Sequence, residues 1–186
     1  MMLDIGIATI TPALAACAMN AIRRTTTVPY RIHVESGPGT HAEKLDRIVQ
    51  RLPPDAEWFF AMDDDAAPLS KCWYWELLYE VEQYDRYRFG HTSYVVGCLY
   101  RAKMLHDRSF VGDINPGDRL PFDTYTIPFT TNRPWWLRGC EVVRRKSQLV
   151  FAHLGGGTIG ADWRKFRMPT RLWPWAVDWY LARQGL

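Results

Sequence analysis

Three consecutive carboxylates follow an apolar run in the first third of the chain. Residues 58–62 read Trp-Phe-Phe-Ala-Met, and Asp63, Asp64 and Asp65 come directly after them. Such a run is typical of a strand buried on both faces of a mostly parallel sheet, where ligands bind just past the strand ends. Adjacent carboxylates repel one another, and a divalent cation is the simplest way to hold them together. The alternative is a solvated acidic turn that caps a helix.

The elements before this acidic triplet alternate between strands and amphipathic helices. We predict strands over residues 3–9 and 28–34. One helix is expected to begin at Pro12 with Thr11 as its N-cap, and a second to cover residues 41–52. Alternation of this kind predicts a parallel sheet with right-handed crossovers. The acidic triplet would then lie at the edge where the strands end.

The chain after the triplet is less regular. We expect a helix over residues 69–82, one strand over 93–100 and an irregular segment over 101–132. Two short strands are predicted at residues 141–143 and 148–152. Long irregular segments of compact domains are often where a substrate is handled.

The carboxy-terminal part is basic and rich in tryptophan. Residues 133–186 carry 10 Lys and Arg against 3 Asp and Glu, whereas residues 1–132 carry 13 against 17. A short helix is expected over residues 135–139, and Pro169 and Pro174 are expected to break the tail. The charge asymmetry indicates an anionic partner, although an ordinary basic surface is its more common explanation.

Composition and motif content narrow the functional classes. With 47% hydrophobic residues the chain can bury a core, so disorder is not expected. The four cysteines have no zinc-site spacing, which indicates reduced thiols. Neither a signal peptide nor a membrane-length apolar window is present, so we expect a cytoplasmic protein. Gly37-Pro38-Gly39 lacks the third glycine of a dinucleotide fingerprint, and no GxxxxGK[ST] loop occurs.

Seven segments, taken in order, carry a family resemblance. They are Ile7 to Thr11, Glu35, Met62 to Asp65, Val96 to Arg101, Phe122-Asp123, Gly139 to Val143 and Phe151 to Gly156. Their order and spacing resemble a compact GT-A glycosyltransferase of the family 2 kind, which transfers a sugar from a nucleotide-sugar donor with the help of a divalent metal. The resemblance implies a single-domain α/β fold. Its Rossmann-like, mostly parallel central sheet would be flanked by helices, with a small second antiparallel sheet.

The resemblance also implies a division of the chain. Residues 1–160 would form the transferase core, with residues 1–68 as its nucleotide-binding half and residues 69–160 as its acceptor half. Residues 161–186 would be a basic, Trp-rich tail that packs on this core. The expected activity is that of a hexosyltransferase, with a UDP-sugar as the expected donor.

The metal and donor residues are implied by the same resemblance. Asp65 and His153 are the expected metal ligands, with Asp63 nearer the ribose or holding a metal-bound water. Oxygen ligands suit Mg²⁺ or Mn²⁺, and one imidazole favours Mn²⁺. A hydrogen-bonded histidine at a strand end is the alternative for His153. The residues expected to contact the nucleotide and its diphosphate are Thr9, Thr11, Glu35, Asp63, Gly155, Gly156, Arg164 and Lys165.

The catalytic base and the acceptor surface are implied less directly. Asp123 would take the proton of the acceptor hydroxyl, which predicts inversion at the anomeric carbon. The family carries an acidic pair here, whereas this chain has Phe122 before Asp123, so Asp113 and Asp118 stay as alternatives. A turn-capping role is the other explanation of Asp123. The expected acceptor-binding residues are Gly97, Arg133, Trp135 and Trp136.

The acceptor itself has several candidates. The basic, Trp-rich half and the resemblance to small bacteriophage enzymes suggest 5-hydroxymethylpyrimidine in DNA, with the host cytoplasm as the location. A cell-envelope glycan or a small molecule is the main alternative, and a metal-dependent nuclease or phosphatase is a different enzyme class. DNA would be held through phosphate contacts from Arg133, Arg138, Arg144, Arg145, Lys146, Arg164, Lys165, Arg167 and Arg171.

Overall fold

The computed structural model describes residues 2–71, 73–75, 91–94, 97–106, 109–111, 124–126, 141–145, 148–154 and 170–186. The helices with both ends in these ranges are α1 (Pro12–Thr25), α2 (His41–Val49) and α3 (Trp173–Arg183). The strands are β1 (Leu3–Ala8), β2 (Tyr30–Glu35), β3 (Trp58–Asp63), β4 (Ala66–Pro68), β5 (His91–Tyr94), β6 (Gly97–Arg101), β7 (Thr124–Thr126), β8 (Glu141–Arg145) and β9 (Gln148–His153). They form two sheets.

The first sheet has the strand order β2-β1-β3-β6-β5. Strand β1 is parallel to both β2 and β3, and β6 runs antiparallel to β3 and β5. Four of the five strands therefore point the same way. Strand β1 is buried throughout, and β3 is buried up to its final residue, Asp63. The predicted mostly parallel sheet with buried interior strands is confirmed.

Helices cover both faces of this sheet. Neighbouring residues of a strand point to opposite faces, so the residues of β1 divide between the two helices. On one face Ile5 and Ile7 pack with Ile22 of α1. On the other, Ala8 packs with Leu45 and Ile48 of α2. The apolar stripes predicted for the two helices are therefore the faces that they bury.

The two helices begin in different ways. A capping box starts α2, in which the Thr40 hydroxyl accepts from the Glu43 backbone N–H and the Glu43 carboxylate accepts from that of Thr40. Thr11 is the N-cap of α1, as predicted, but its side chain makes no capping hydrogen bond. Its backbone N–H donates instead to Oγ1 of Thr9 at 2.8 Å.

The second sheet is antiparallel in the order β4-β9-β8-β7. Its strand β4 was not predicted, because Ala66–Pro68 looks like a turn continuing from the triplet. The helix expected over residues 69–82 begins later, with helical backbone described at residues 73–75. Prolines suit edge strands, and Pro68 ends an edge strand here.

The single strand predicted over residues 93–100 is wrong. Tyr94 pairs with Gly97 in antiparallel register, so β5 and β6 form two strands. The run of β-branched and aromatic residues hid the reversal. Gly97 has φ of +158°, and a Cβ there would lie 2.2 Å from the Ala61 carbonyl oxygen. Glycine therefore permits the close approach of β6 to β3.

The predicted break at Pro174 is also wrong. This proline lies in the first turn of α3, where its missing N–H has no helical partner to lose. The buried face of α3 packs Trp173 and Ala176 against Leu14 and Cys17 of α1. Among the residues that the structure describes, no helix is both long and apolar enough to cross a membrane.

Candidate functional site

The carboxyl ends of three parallel strands meet at one edge of the first sheet. Ala8, the last residue of β1, pairs with Glu35 on one side and with Asp63 on the other. This register brings the β1–α1 loop, the end of β2 and the acidic triplet side by side. The edge is where open α/β sheets bind ligands, as the sequence led us to expect.

Thr9 connects the elements of this edge. Its backbone N–H donates to the Glu35 carbonyl oxygen at 2.9 Å, and its own carbonyl oxygen accepts from Nζ of Lys44 at 2.9 Å. Its hydroxyl donates to Oδ2 of Asp64 at 2.5 Å and accepts from the Thr11 N–H. Thr9 is only 2% exposed. Its polar groups therefore bind neighbouring protein segments.

The three carboxylates of the triplet differ in their surroundings. Asp63 ends β3 with 36% of its side chain exposed, so solvent reaches it. Asp64 is half-buried and accepts the Thr9 hydroxyl. Asp65 is buried, with 9% exposure. The triplet thus presents one accessible carboxylate, one that is held by the β1–α1 loop and one that is enclosed.

Strand β9 runs beside the triplet. Ala66 pairs with His153 in antiparallel register, and the Leu154 N–H donates to the Asp65 carbonyl oxygen at 2.9 Å. The backbone of His153 is therefore next to the acidic turn, although the two segments are far apart in the sequence. The side chain of His153 lies outside the described part of the structure.

His41 is a site residue that the sequence did not reveal. Its Nε2 lies 3.9 Å from Oδ1 of Asp63. The pKa of His41 is lowered. Burial is the largest cause and the charge of Lys44 adds to it, while the charges of Asp64 and Asp65 act in the opposite direction. The sequence feature that could have indicated His41 is its position in the first turn of a helix that follows a glycine-rich turn.

Lys44 is the second residue that was missed. Only 3% of it is exposed, and it lies on the inward side of α2 beside Leu45. A lysine is almost never fully buried unless it is paired. The signal was its place within the inward stripe of the helix, three residues after His41 and four before Ile48.

Glu35 lies at the end of β2, and the family resemblance predicts that its carboxylate contacts the base. Its Oε1 accepts from the Gly37 N–H at 2.9 Å, and its Oε2 accepts from Arg51 at 2.6 Å. Arg47 approaches Oε1 at 3.5 Å. The Gly37 hydrogen bond, followed by the Arg51 hydrogen bond and the Arg47 charge, lowers the pKa of Glu35. The carboxylate is therefore ionised at neutral pH.

Gly97, predicted to contact the acceptor, pairs with Met62. It thus lies one residue from the triplet, across the β3–β6 pairing. The remaining predicted site residues lie outside the described residues. They are Asp123 with its alternatives Asp113 and Asp118, Arg133, Trp135, Trp136, Gly155, Gly156, Arg164 and Lys165.

The carboxylate oxygens at this edge are of the type that binds hard divalent cations. Asp63 and Asp65 supply carboxylate oxygens, the ligands that Mg²⁺ and Mn²⁺ prefer. Within the described residues, no group of three His, Cys, Asp or Glu converges on one point. A metal site at this turn would therefore need a further ligand, and the backbone of His153 lies next to the turn.

Comparisons of the chain with protein-family models, with curated proteins and with solved structures find no match.

Proposed function

We propose that this chain is a metal-dependent glycosyltransferase of the GT-A kind that moves a sugar from a nucleotide-sugar donor to an acceptor hydroxyl. One observation carries the proposal. Three parallel strands end together at Thr9, Glu35 and the acidic triplet, and β9 brings the backbone of His153 next to Asp65. Nucleotide, diphosphate and metal would each meet suitable chemistry along this edge.

The nucleoside end of the donor would lie over the end of β2. Glu35 is ionised there and can accept a hydrogen bond from an N–H of a base. Ile10 is 85% exposed in the β1–α1 loop and offers an apolar contact for a ring. Uracil, which has one N–H in its imide group, fits this combination, and we therefore propose a UDP-sugar.

The diphosphate end of the donor would lie at the triplet. Asp63, Asp65 and His153 would hold Mn²⁺ or Mg²⁺, which supplies a Lewis acid for the charge that grows on the leaving diphosphate. Arg164 and Lys165 would pair with the phosphates. Asp123 would take the proton of the acceptor hydroxyl while the sugar carbon is attacked from the opposite face, so the transfer would invert the anomeric centre.

For the acceptor we propose 5-hydroxymethylpyrimidine in DNA. The support is the concentration of 10 basic residues against 3 acidic ones in residues 133–186, together with Trp135 and Trp136. Basic side chains would bind the phosphates, and aromatic rings would stack on an extruded base. The hydroxymethyl group would then supply the oxygen that receives the sugar.

Donor binding is tested by thermal shift with a panel of nucleotide sugars, with and without Mn²⁺. We expect one donor to raise the melting temperature in a Mn²⁺-dependent way, and Asp65→Ala to abolish this shift. Asp55→Asn is the control, because it removes an exposed carboxylate from the turn before β3, away from the triplet. If none of the donors shifts the wild type, the proposal fails.

The acceptor is tested with a labelled form of the donor that binds. Duplexes with and without hydroxymethylated pyrimidines are compared under the same conditions. Label on the modified duplex alone supports the DNA acceptor. Absence of label on both duplexes removes that acceptor while leaving the donor chemistry standing.

A further inference from the structure

We infer that Lys44, Thr9 and Asp64 form a tie that fixes the β1–α1 loop against the acidic triplet, and that Asp64 is a positioning residue and not a metal ligand. In this tie the Lys44 ammonium group donates to the Thr9 carbonyl oxygen, and the Thr9 hydroxyl donates to the Asp64 carboxylate. Its consequence for donor binding rests on the proposed function.

Thr9 holds the β1–α1 loop in place through hydrogen bonds to its neighbours. The loop that follows β1 is held on three sides: by β2 through the Glu35 carbonyl, by α2 through Lys44, and by the triplet through Asp64. The same hydroxyl accepts from Thr11, the N-cap of α1. One buried residue thus sets the position of the loop and the start of the helix behind it.

Asp64 is held by a short hydrogen bond. The Thr9 hydroxyl donates to its Oδ2 at 2.5 Å, and a carboxylate accepts more strongly than a neutral oxygen does. A metal ion on Asp64 would have to share Oδ2 with the threonine hydroxyl or use Oδ1. Asp63 and Asp65, on either side of Asp64 in the chain, differ in exposure, since 36% of the Asp63 side chain is exposed and Asp65 is buried.

Lys44 is the buried cation of the tie. Burying an ammonium group is costly unless charges or hydrogen bonds compensate it. Its ammonium group donates to the Thr9 carbonyl oxygen at 2.9 Å. Lys44 therefore holds the loop residue whose hydroxyl donates to Asp64.

The tie predicts that donor binding depends on the Thr9 hydroxyl, whose hydrogen bonds are made within the protein. A loop held in place binds a ligand without the cost of ordering it first. Loss of the Thr9 hydroxyl should release the loop, whereas a serine hydroxyl should preserve the tie. The paired variants separate the two parts of the side chain: Thr9→Val keeps the shape of threonine without the hydroxyl, and Thr9→Ser keeps the hydroxyl without the methyl group.

The experiment has three measurements on the full chain. Amide hydrogen exchange reports whether the Thr11 N–H is protected. Titration of UDP in the presence of Mn²⁺, well below the melting temperature, reports the affinity of the folded protein. Paramagnetic titration of Mn²⁺ alone compares Asp64→Ala with Asp65→Ala. Melting curves show that each variant is folded during the titrations.

We expect Thr9→Val to lose Thr11 protection and to bind Mn²⁺–UDP about tenfold more weakly, while Thr9→Ser behaves as the wild type. We expect Asp64→Ala to keep the Mn²⁺ affinity of the wild type and Asp65→Ala to lose it. A purely structural role would lower the melting temperature of Thr9→Val and leave the affinity of the folded protein unchanged, which would overturn the inference.

Two further outcomes are decisive. If Asp64→Ala weakens Mn²⁺ binding as much as Asp65→Ala does, Asp64 is a ligand and the inference is wrong. If the wild type binds neither UDP nor another nucleotide, the proposed function fails. The tie is then judged by exchange alone: lost protection in Thr9→Val with protection kept in Thr9→Ser supports it, and equal protection in both refutes it.

Discussion

The hydroxyl of Thr9 donates to Oδ2 of Asp64 at 2.5 Å, although 55 residues separate them in the chain. This contact joins the end of β1 to the turn after β3. It gives the middle carboxylate of the triplet a partner within the protein, whereas Asp63 remains partly open to solvent. The three aspartates, to which the family resemblance gives different roles, therefore also differ in their surroundings in the structure.

Gly97→Ala should destabilise the protein by about 2 kcal/mol, because the added Cβ would press on the backbone of β3. The nearest atom is the Ala61 carbonyl oxygen at 2.2 Å, and backbone cannot rotate away. Denaturant unfolding measures the cost.

Gly185→Ala is the control for this substitution. Gly185 also has positive φ, at +70°, but an added Cβ there meets no atom within 4 Å. Its cost should be about 1 kcal/mol, which is the conformational part alone. Equal costs at the two glycines would show that the contact with β3 is unimportant.

Asp4→Asn should cost roughly 3 kcal/mol of stability, since it breaks a buried ion pair. Asp4 has no exposed surface and accepts from Nε and Nη2 of Arg31 at 2.7 and 2.8 Å. Nε2 of His33 lies 2.7 Å from the same carboxylate. Chemical denaturation compares this variant with Asp55→Asn, which removes the exposed partner of the same arginine.

The control variant should change stability by about 0.5 kcal/mol, because exposed ion pairs are weak. Equal losses of unfolding free energy in Asp4→Asn and Asp55→Asn would contradict the idea that burial makes the Asp4–Arg31 pair important.

The stability difference between the wild type and Glu35→Gln should depend on pH. The pKa of Glu35 is lowered in the folded protein from its ordinary value of 4.5, first by the Gly37 hydrogen bond and then by Arg51. The ionised carboxylate therefore stabilises the fold above 4.5, and this contribution is lost as the pH falls through the depressed pKa. Melting temperatures of both proteins across acidic pH check this; a constant difference would contradict it.

Cys17 should resist alkylation in the native protein. Burial raises the pKa of its thiol to about 12, and the charge of Asp178 adds to this effect. The thiolate, which is the reactive form, is therefore scarce at mildly alkaline pH. Peptide mapping after iodoacetamide treatment, with unfolded protein as the reference, measures the modification. Equal rates in the native and unfolded states would show that Cys17 is accessible.

The parts of the fold that could be predicted depend on local patterns. The apolar runs of β1 and β3 and the stripes of α1 and α2 are periodic, and strand-helix alternation implies parallel pairing. The carboxyl edge with Thr9, Glu35 and the triplet followed from these patterns. Those residues belong to consecutive elements, so chain order alone places them together.

The parts that could not be predicted depend on long-range pairing. Ala66–Pro68 becomes a strand only because β9 lies beside it, and nothing local marks it as one. His41 and Lys44 look like ordinary residues of an amphipathic helix until α2 packs next to β1. Gly97 looks like part of a continuous strand because its function as a point of close approach depends on the position of Ala61.

The most direct test of the proposed function is the release of nucleoside diphosphate from nucleotide sugars in the presence of Mn²⁺. We predict that the wild type releases UDP from one UDP-sugar, that chelation of the metal stops the release, and that Asp65→Ala is inactive although its melting curve shows that it is folded at the assay temperature. Release by Asp65→Ala at the wild-type rate, or no release by the wild type from any donor of the panel, would contradict the proposed glycosyltransferase site.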